Sequence, residues 1–134
     1  MSDSADTPPD DLVQGGAWGS VRYAVDAKGS MPARDFIESL KDKERAKLSV
    51  LFERMADAGR IWNREQFKKV EGDIFEFKRF QIRVGCFQEG STWFLTHGFR
   101  KKRDKWQKRE LERANRIRNE HLARQERERK NEPD

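Results

Sequence analysis

The sequence predicts an α+β domain with the element order β-α-α-β-β-β-α. In this fold an antiparallel sheet carries a helical hairpin on one face, and the chain ends in a basic helix. Three observations support the prediction. Two amphipathic segments lie between residues 30 and 58, three short strand-like runs joined by tight turns lie between residues 74 and 99, and positive charge is concentrated in the second half of the chain.

Size and composition indicate one small domain. The chain has 134 residues, of which 34 % are hydrophobic and 40 % charged, so the core is small and depends on nine Phe and four Trp. No apolar run approaches the roughly 18 residues that span a bilayer, and the first residues are acidic, unlike a signal peptide. We therefore expect a cytoplasmic protein with no membrane partner.

Cysteine usage limits the chemistry. The single Cys86 excludes an intramolecular disulfide and a cysteine-based zinc site. We predict no metal site and no cofactor.

The domain is expected to span residues 17–122. Residues 1–16 contain four aspartates, two prolines and two glycines, which predicts a disordered acidic leader. Residues 123–134 form a polar, charged tail. Trp18 to Val25 is rich in aromatic and β-branched residues and is the predicted first strand, followed by a turn at residues 26–29.

The next segments predict a helical hairpin. Ser30 is placed to cap a first helix, in which Pro32 is tolerated because the first turn needs no amide donor. A second helix is predicted from Asp42 to about Ala58 and stops at Gly59, a residue suited to the left-handed position after a helix. The apolar residues recur at spacings of three and four, as a core-facing stripe does: Phe36, Ile37, Leu40, Leu48, Leu51, Phe52 and Met55.

Three strands and a last helix complete the prediction. Residues 60–71 are a predicted loop, and the strands are Ile74 to about Phe80, Gln81 to Phe87 and Thr92 to Phe99. From Lys105 a helix is predicted to about Arg124. Strict alternation places His97 on the same face of the fourth strand as Trp93, Leu95 and Phe99.

Charge is distributed unevenly along the chain. The whole sequence carries +5, but residues 68–118 hold 15 basic and 7 acidic side chains and so carry +8. The segments before and after are slightly acidic. A local positive field of this kind is typical of nucleic-acid binding, although a solvated charged helix would also account for the helical part.

Several motifs, in order, resemble the RelE/ParE toxin superfamily. The resemblance covers about residues 18–122 and is closest to the HigB-like, phage-derived branch. The motifs that carry it are Gly29-Ser-Met-Pro32, Phe36 and Leu40, the helix ending at Gly59, Val70-Glu-Gly-Asp-Ile-Phe-Glu-Phe-Lys78, Ile82-Arg83-Val84 and Leu95-Thr-His-Gly-Phe-Arg-Lys-Lys102. The resemblance implies the toxin of a type II toxin–antitoxin pair, a ribosome-dependent endoribonuclease that cuts messenger RNA. The implied protein partner is a helix-turn-helix antitoxin.

Metal-free RNA cleavage by attack of the 2′-hydroxyl needs a base, cations for the phosphorane and an acid for the leaving oxygen. The resemblance places Arg83, Lys78 and Arg100 at basic positions of the catalytic site, with Arg83 as the phosphate clamp. His97 is the candidate acid or base, because histidine titrates near neutral pH. Its predicted apolar neighbours nevertheless favour a structural histidine. The residues predicted to bind RNA are Lys68, Lys69, Lys101, Lys102, Arg103, Lys105, Trp106, Lys108 and Arg109.

Two departures from the family pattern bear on catalysis. Known nucleases of the family commonly carry a late tyrosine or histidine, whereas here the nearest residue is Trp106, which can stack on a base but cannot transfer a proton. Glu76 stands where some relatives carry a basic residue. Two alternatives therefore stay open: a ParE-like inhibitor of a topoisomerase, and a phage or prophage protein that binds nucleic acid without cleaving it.

Overall fold

The structure, a computed structural model, describes residues 9–103 and 105–131. A single 3₁₀ turn, Pro9–Asp11, precedes the first strand. The strands are β1 (Leu12–Gly15), β2 (Ser20–Tyr23), β3 (Phe67–Glu71), β4 (Ile74–Arg79), β5 (Ile82–Glu89) and β6 (Thr92–Arg100), and the helices are α1 (Pro32–Glu38), α2 (Asp42–Ala58) and α3 (Lys108–Lys130).

All the strands belong to one sheet, in the order β1-β2-β6-β5-β4-β3. Neighbouring strands are antiparallel except β2 and β6, which pair in parallel from Ser20 opposite Thr92 to Tyr23 opposite Leu95. The predicted α+β class, the antiparallel meander and the C-terminal helix are confirmed. Strand β2 joins the meander beside its last strand, so the predicted first strand lies inside the sheet and not at its edge.

Two strands were missed by the sequence prediction. Leu12–Gly15, predicted as part of a disordered leader, form the edge strand β1 against β2; residues 1–8 lie outside the described part of the chain. Phe67–Glu71, predicted as loop, form the opposite edge strand β3. Neither segment has a strong strand pattern of its own, and each becomes a strand by pairing with its neighbour.

The helix boundaries also differ in places. Met31, not Ser30, is the N-cap of α1, and the Ser30 amide instead donates to the Asp26 carboxylate. Helix α2 ends as predicted, with Gly59 in the left-handed conformation at φ 78°. Helix α3 begins at Lys108 and continues to Lys130, through most of the predicted polar tail.

The sheet is packed on both faces. The hairpin of α1 and α2 covers one face through a cluster that includes Leu48, Phe52, Phe77 and Leu95. Helix α3 covers part of the other face through Ala114 and Ile117, which pack with the sheet residues Ile74, Phe87 and Phe94. We call these the hairpin face and the α3 face. None of the described helices combines the length and apolar character that crossing a bilayer requires.

A β-bulge in β6 changes which side chains share a face. Val84 pairs with Gly98 but Cys86 pairs with Leu95, so β6 has one extra residue in this interval. Alternation is therefore reversed beyond the bulge. Leu95 packs on the hairpin face, whereas His97 contacts Glu110 of α3. The prediction that His97 and Phe99 share a face with Trp93 and Leu95 is wrong, because the bulge resets the period of two.

Candidate nucleic-acid interface

A buried carboxylate, Glu76, lies on the part of the α3 face that helix α3 does not cover. It is 1 % exposed, because its strand lies inside the sheet and Trp106 covers it. The Trp106 indole Nε1 donates to Glu76 Oε1 at 2.8 Å. Arg83 Nε lies 3.5 Å from the same oxygen, and Lys68 Nζ lies 3.9 Å from Oε2. A carboxylate so completely buried is stable only with paired charges, which these cations supply.

Four cations surround this carboxylate, and we call them the cationic cluster: Lys68, Lys78, Arg83 and Lys101. The strand register brings them together. Lys68 of β3 lies opposite Glu76, and Lys78 of β4 lies opposite Arg83 of β5. Lys101 follows β6, and its backbone amide donates a hydrogen bond to the Gln81 carbonyl at 2.7 Å. Four positive charges thus share one negative charge, which leaves a net positive surface suited to phosphate.

Arg83 is held rigidly. Its Nη1 donates to the carbonyl oxygens of Phe80 and Ile82, each at 2.9 Å. Its Nε faces Glu76, and its side chain is only 10 % exposed. Within the described residues no acceptor is bonded to Nη2. The guanidinium therefore presents one preoriented edge, as a phosphate clamp does.

Lys101 is the lysine of the cationic cluster that can act as a base. Partial burial lowers the pKa of its ammonium group, and the positive charge of Arg83 lowers that pKa further; Lys68 and Lys78 act in the same direction, and Glu76 opposes them. A lysine with a lowered pKa has a larger neutral fraction, so its amine can accept a proton. For Lys101 the sequence predicts RNA binding only. Its four charged neighbours come from three strands, and no pattern in the sequence brings them together.

His97 does not have the properties of an acid or base. It is 1 % exposed, with Nδ1 bonded to the Thr96 hydroxyl at 3.2 Å and Nε2 bonded to Glu110 at 3.1 Å. Glu110 would favour the charged ring, but burial and the charges of Arg113 and Arg116 prevail and lower the pKa of His97 to about 3. Burial thus keeps the imidazole neutral, on the α3 face and not beside Trp93 and Leu95. His121 is also buried and accepts a hydrogen bond from the Val25 amide.

Arg100 lies apart from the cluster. Its guanidinium forms a two-pronged ion pair with Glu44 at the start of α2, with N–O distances of 2.9 and 2.8 Å. The hydrogen bonds from Arg100 lower the pKa of Glu44. Because α2 packs on the hairpin face, Arg100 points away from Lys78 and Arg83. The prediction of one surface shared by Lys78, Arg83 and Arg100 holds for the first two residues only.

The other predicted RNA-binding cations border the cluster. Lys102, Arg103 and Lys105 are exposed in the β6–α3 connection, and Lys69 is exposed on β3. Lys108 and Arg109 lie in the first turn of α3, where positive side chains oppose the helix dipole. A cleft of about 300 Å³ lies between β3 and the β6–α3 connection. It is lined by Lys68, Lys69, Glu76, Lys105 and Trp106.

The Trp106 side chain is packed against the sheet. Its ring packs edge-on against Phe99 at a centroid distance of 4.9 Å. A Cβ added to Gly85 would lie 2.9 Å from the Trp106 ring, so this glycine gives the indole its close approach to the sheet. Trp106 therefore supports Glu76 and lines the cleft. Among the described residues, no group of three or more His, Cys, Asp and Glu side chains is arranged to hold a metal ion.

The strand order, the helical hairpin and the cationic sheet face define a RelE/ParE-like protein. The family model described as "Phage derived protein Gp49-like (DUF891)" matches residues 35–119, from α1 to the middle of α3. The match covers more than half of the chain, and the protein belongs to this phage-derived Gp49-like family, whose members are often toxins of toxin–antitoxin systems. No curated protein matches the chain.

Proposed function

We propose that this protein is the toxin of a type II toxin–antitoxin system and that it cleaves messenger RNA on the ribosome without a metal ion. The observation that carries the proposal is the cationic cluster, in which a fixed guanidinium and a lysine of lowered pKa stand on one sheet face. Family membership and the motif order that resembles the HigB-like branch add support.

In the proposed reaction Arg83 and Lys68 bind the scissile phosphate and stabilise the charge that develops on its oxygens. The neutral amine of Lys101 accepts the proton of the 2′-hydroxyl, whose oxygen attacks the phosphorus. The bond from phosphorus to the 5′-oxygen then breaks, and that oxygen takes a proton from an ammonium group of the cluster. The products are a 2′,3′-cyclic phosphate and a 5′-hydroxyl.

The test is induction in a bacterial host with mapping of transcript ends. The wild type should arrest growth and produce cuts in phase with codons on translated messages. Lys101→Met should abolish the cuts, because methionine cannot accept a proton. Arg100→Gln is the matched control, since it removes a cation of the hairpin face, and it should retain cleavage. Growth arrest without new transcript ends would contradict the nuclease and favour the ParE-like alternative.

The proposed partner is a helix-turn-helix antitoxin with an acidic segment that covers the cationic cluster. Charge complementarity supports this pairing, because four cations there share one carboxylate. The gene beside this one should encode the antitoxin. Its co-expression should abolish growth arrest, and the two proteins should copurify in a complex that weakens as salt rises.

A second candidate is a phage-derived protein that binds RNA without cleaving it. One observation favours it: Nη1 of Arg83 is used by two backbone carbonyls and Nε by Glu76, so much of the guanidinium serves the fold. This candidate predicts wild-type RNA affinity with no cyclic phosphate product. An oligonucleotide binding assay followed by end-group analysis separates the two functions.

A further inference from the structure

Phe80 forms the tip of the hairpin between β4 and β5. The connection has only two residues, because Arg79 pairs with Ile82 across the ladder. Phe80 is 58 % exposed, although it is a large apolar side chain. Its backbone has φ 55°, the only positive φ found at a residue other than glycine in the described part of the chain. The tip therefore exposes an aromatic ring on a strained backbone.

Phenylalanine is an unusual residue at a positive-φ position of a hairpin turn. In two-residue hairpins the positive-φ position favours glycine or asparagine, because a side chain with a Cβ rarely adopts that conformation. Gly90, in the next hairpin turn of this sheet, follows the rule with φ 60°. Phenylalanine at the equivalent position of the β4–β5 turn loses backbone stability and gains only partial burial. Strained residues of this sort concentrate at functional sites.

The tip is connected directly to the cationic cluster. The Phe80 carbonyl accepts the 2.9 Å hydrogen bond from Arg83 Nη1. The next carbonyl, of Gln81, accepts the 2.7 Å bond from the Lys101 amide. The guanidinium of Arg79, the residue before Phe80, lies 5.7 Å from the centroid of the Phe80 ring. The backbone that carries the ring is thus fixed beside the residues that would hold a phosphate.

The other candidate aromatic residues are placed differently. Trp106 donates to Glu76 and packs against Phe99. Trp62 is 79 % exposed and, like Phe80, has an arginine guanidinium near its ring, but it follows the end of α2 and, within the described residues, has no hydrogen bond to the cationic cluster. Phe80 is distinguished by its bond to Arg83. Single-stranded RNA is commonly held by a base stacked on an aromatic ring beside a cationic groove.

We propose that Phe80 is a base-stacking residue, which holds the base of an RNA nucleotide whose phosphate lies on the cationic cluster. The inference rests on the proposed function and goes beyond it by naming the group that positions the nucleotide. Phe80 then has the stacking role that the sequence predicts for Trp106. Because a ring face accepts any base, Phe80 contributes affinity and position more than sequence preference.

The test measures the affinity of the purified full-length protein for a short single-stranded RNA and for the same RNA with one abasic nucleotide at each position in turn. Phe80→Leu keeps an apolar side chain and removes the aromatic face. It should weaken binding about tenfold, as expected for the loss of one stacked base. Phe80→Trp should retain or strengthen binding. One of the abasic RNAs should bind the wild type about as weakly as the intact RNA binds Phe80→Leu. Phe80→Leu should bind that abasic RNA no more weakly than it binds the intact RNA.

Salt dependence separates stacking from charge. Phe80→Leu should leave the slope of log affinity against log salt unchanged, whereas Lys78→Gln should reduce it, because only the lysine releases counterions from a phosphate. Phe80→Gly serves as a second variant: it relieves the positive φ, so it should unfold no more readily than the wild type and still bind RNA weakly.

The outcomes are distinct. If Phe80→Leu binds RNA like the wild type while Lys78→Gln binds more weakly, the stacking role is wrong and the proposed function stands. If Phe80→Leu loses the antitoxin and keeps the RNA, the ring belongs to a protein interface and the inference is overturned. If the wild type neither binds nor cleaves RNA, the proposed function fails and the inference fails with it.

Discussion

Lys78 and Arg83 lie directly opposite each other in the ladder between β4 and β5, with their side chains on the same sheet face. Like charges at directly opposed positions destabilise a sheet. The chain nevertheless has a lysine there, and Arg83 is held by two carbonyls in place of a full counter-charge. The arrangement reduces stability in return for a concentrated positive surface, which is what a phosphate site requires.

Lys78→Gln should therefore stabilise the fold and weaken RNA binding. Removing the repulsion is expected to raise the free energy of unfolding by about 0.2–1 kcal/mol. Urea denaturation measures this change. Lys47→Gln, at an exposed position of α2, removes the same charge away from the cluster and should change neither stability nor RNA affinity beyond error. Destabilisation by Lys78→Gln would contradict the repulsion argument.

Glu76→Gln should have two opposite effects. The neutral amide leaves Arg83 and Lys68 without their buried counter-charge, and breaking such a pair costs roughly 3–5 kcal/mol of stability. RNA affinity should rise in the fraction that stays folded, because the cluster gains a unit of positive charge. Unfolding and filter binding at a temperature well below the transition measure both effects. Glu53→Gln, exposed on α2, is the control and should show only small changes in each.

Lys101 should set the pH dependence of cleavage. A base acts in its neutral form, so the rate rises with pH and levels off above the pKa of Lys101, which burial and Arg83 lower below 10.5. A pH–rate profile of the wild type should show this plateau. Lys101→Arg keeps the charge but cannot lose its proton, and it should abolish the rise. A profile of Lys101→Arg that follows the wild type would exclude Lys101 as the base.

Acid should destabilise the protein before its carboxylates titrate. Burial is the main cause that lowers the pKa of His97 to about 3 and of His121 to about 4 in the folded protein. In the unfolded chain each has a pKa near 6.5. The unfolded chain thus binds more protons between these values, and stability, fully present above about pH 6.5, falls as pH decreases.

Each histidine contributes a slope of up to about 1.4 kcal/mol per pH unit. Urea denaturation at pH 7, 6 and 5 measures it. His121→Asn keeps an acceptor for the Val25 amide and should reduce the slope. An unchanged slope would mean that His121 is not the group that titrates.

Gly98→Ala tests the bulge. A Cβ at Gly98 would lie 2.2 Å from the Phe36 ring of α1, because the bulge turns this residue to the hairpin face. The substitution should cost about 1–3 kcal/mol through overpacking, read from thermal or urea unfolding. Gly15→Ala is the matched control, since a Cβ there meets nothing within 4 Å. Equal stability of the two variants would show that Gly98 does not face α1.

The fold could be predicted where local signals were strong. Helix α2 has a continuous apolar stripe and a glycine after its last turn, and the three meander strands alternate and end in tight turns. Strands β1 and β3 escaped prediction because each is only four or five residues long and depends on pairing with the next strand along the chain. Such pairing leaves little trace in single-residue preferences.

The candidate site was predicted in part for a similar reason. Lys78 and Arg83 flank one hairpin, so simple register brings them together. Arg100 and His97 were misplaced because the extra residue in β6 reverses the faces beyond Leu95, and a bulge has no signature in this sequence. The lowered pKa of Lys101 arises from burial and from charges on three strands at once, and the exposure of Phe80 depends on the two-residue turn between β4 and β5.

The parallel pairing of β2 with β6 has a consequence for folding during synthesis. Ser20 lies beside Thr92, 72 positions later in the chain. At common synthesis rates of about 5–20 residues per second, a nascent β2 waits roughly 4 to 14 seconds for its neighbour to be made. The meander that bears the cations can be assembled only in the second half of translation. Nearly all of the chain must therefore be synthesised before the cationic cluster can form.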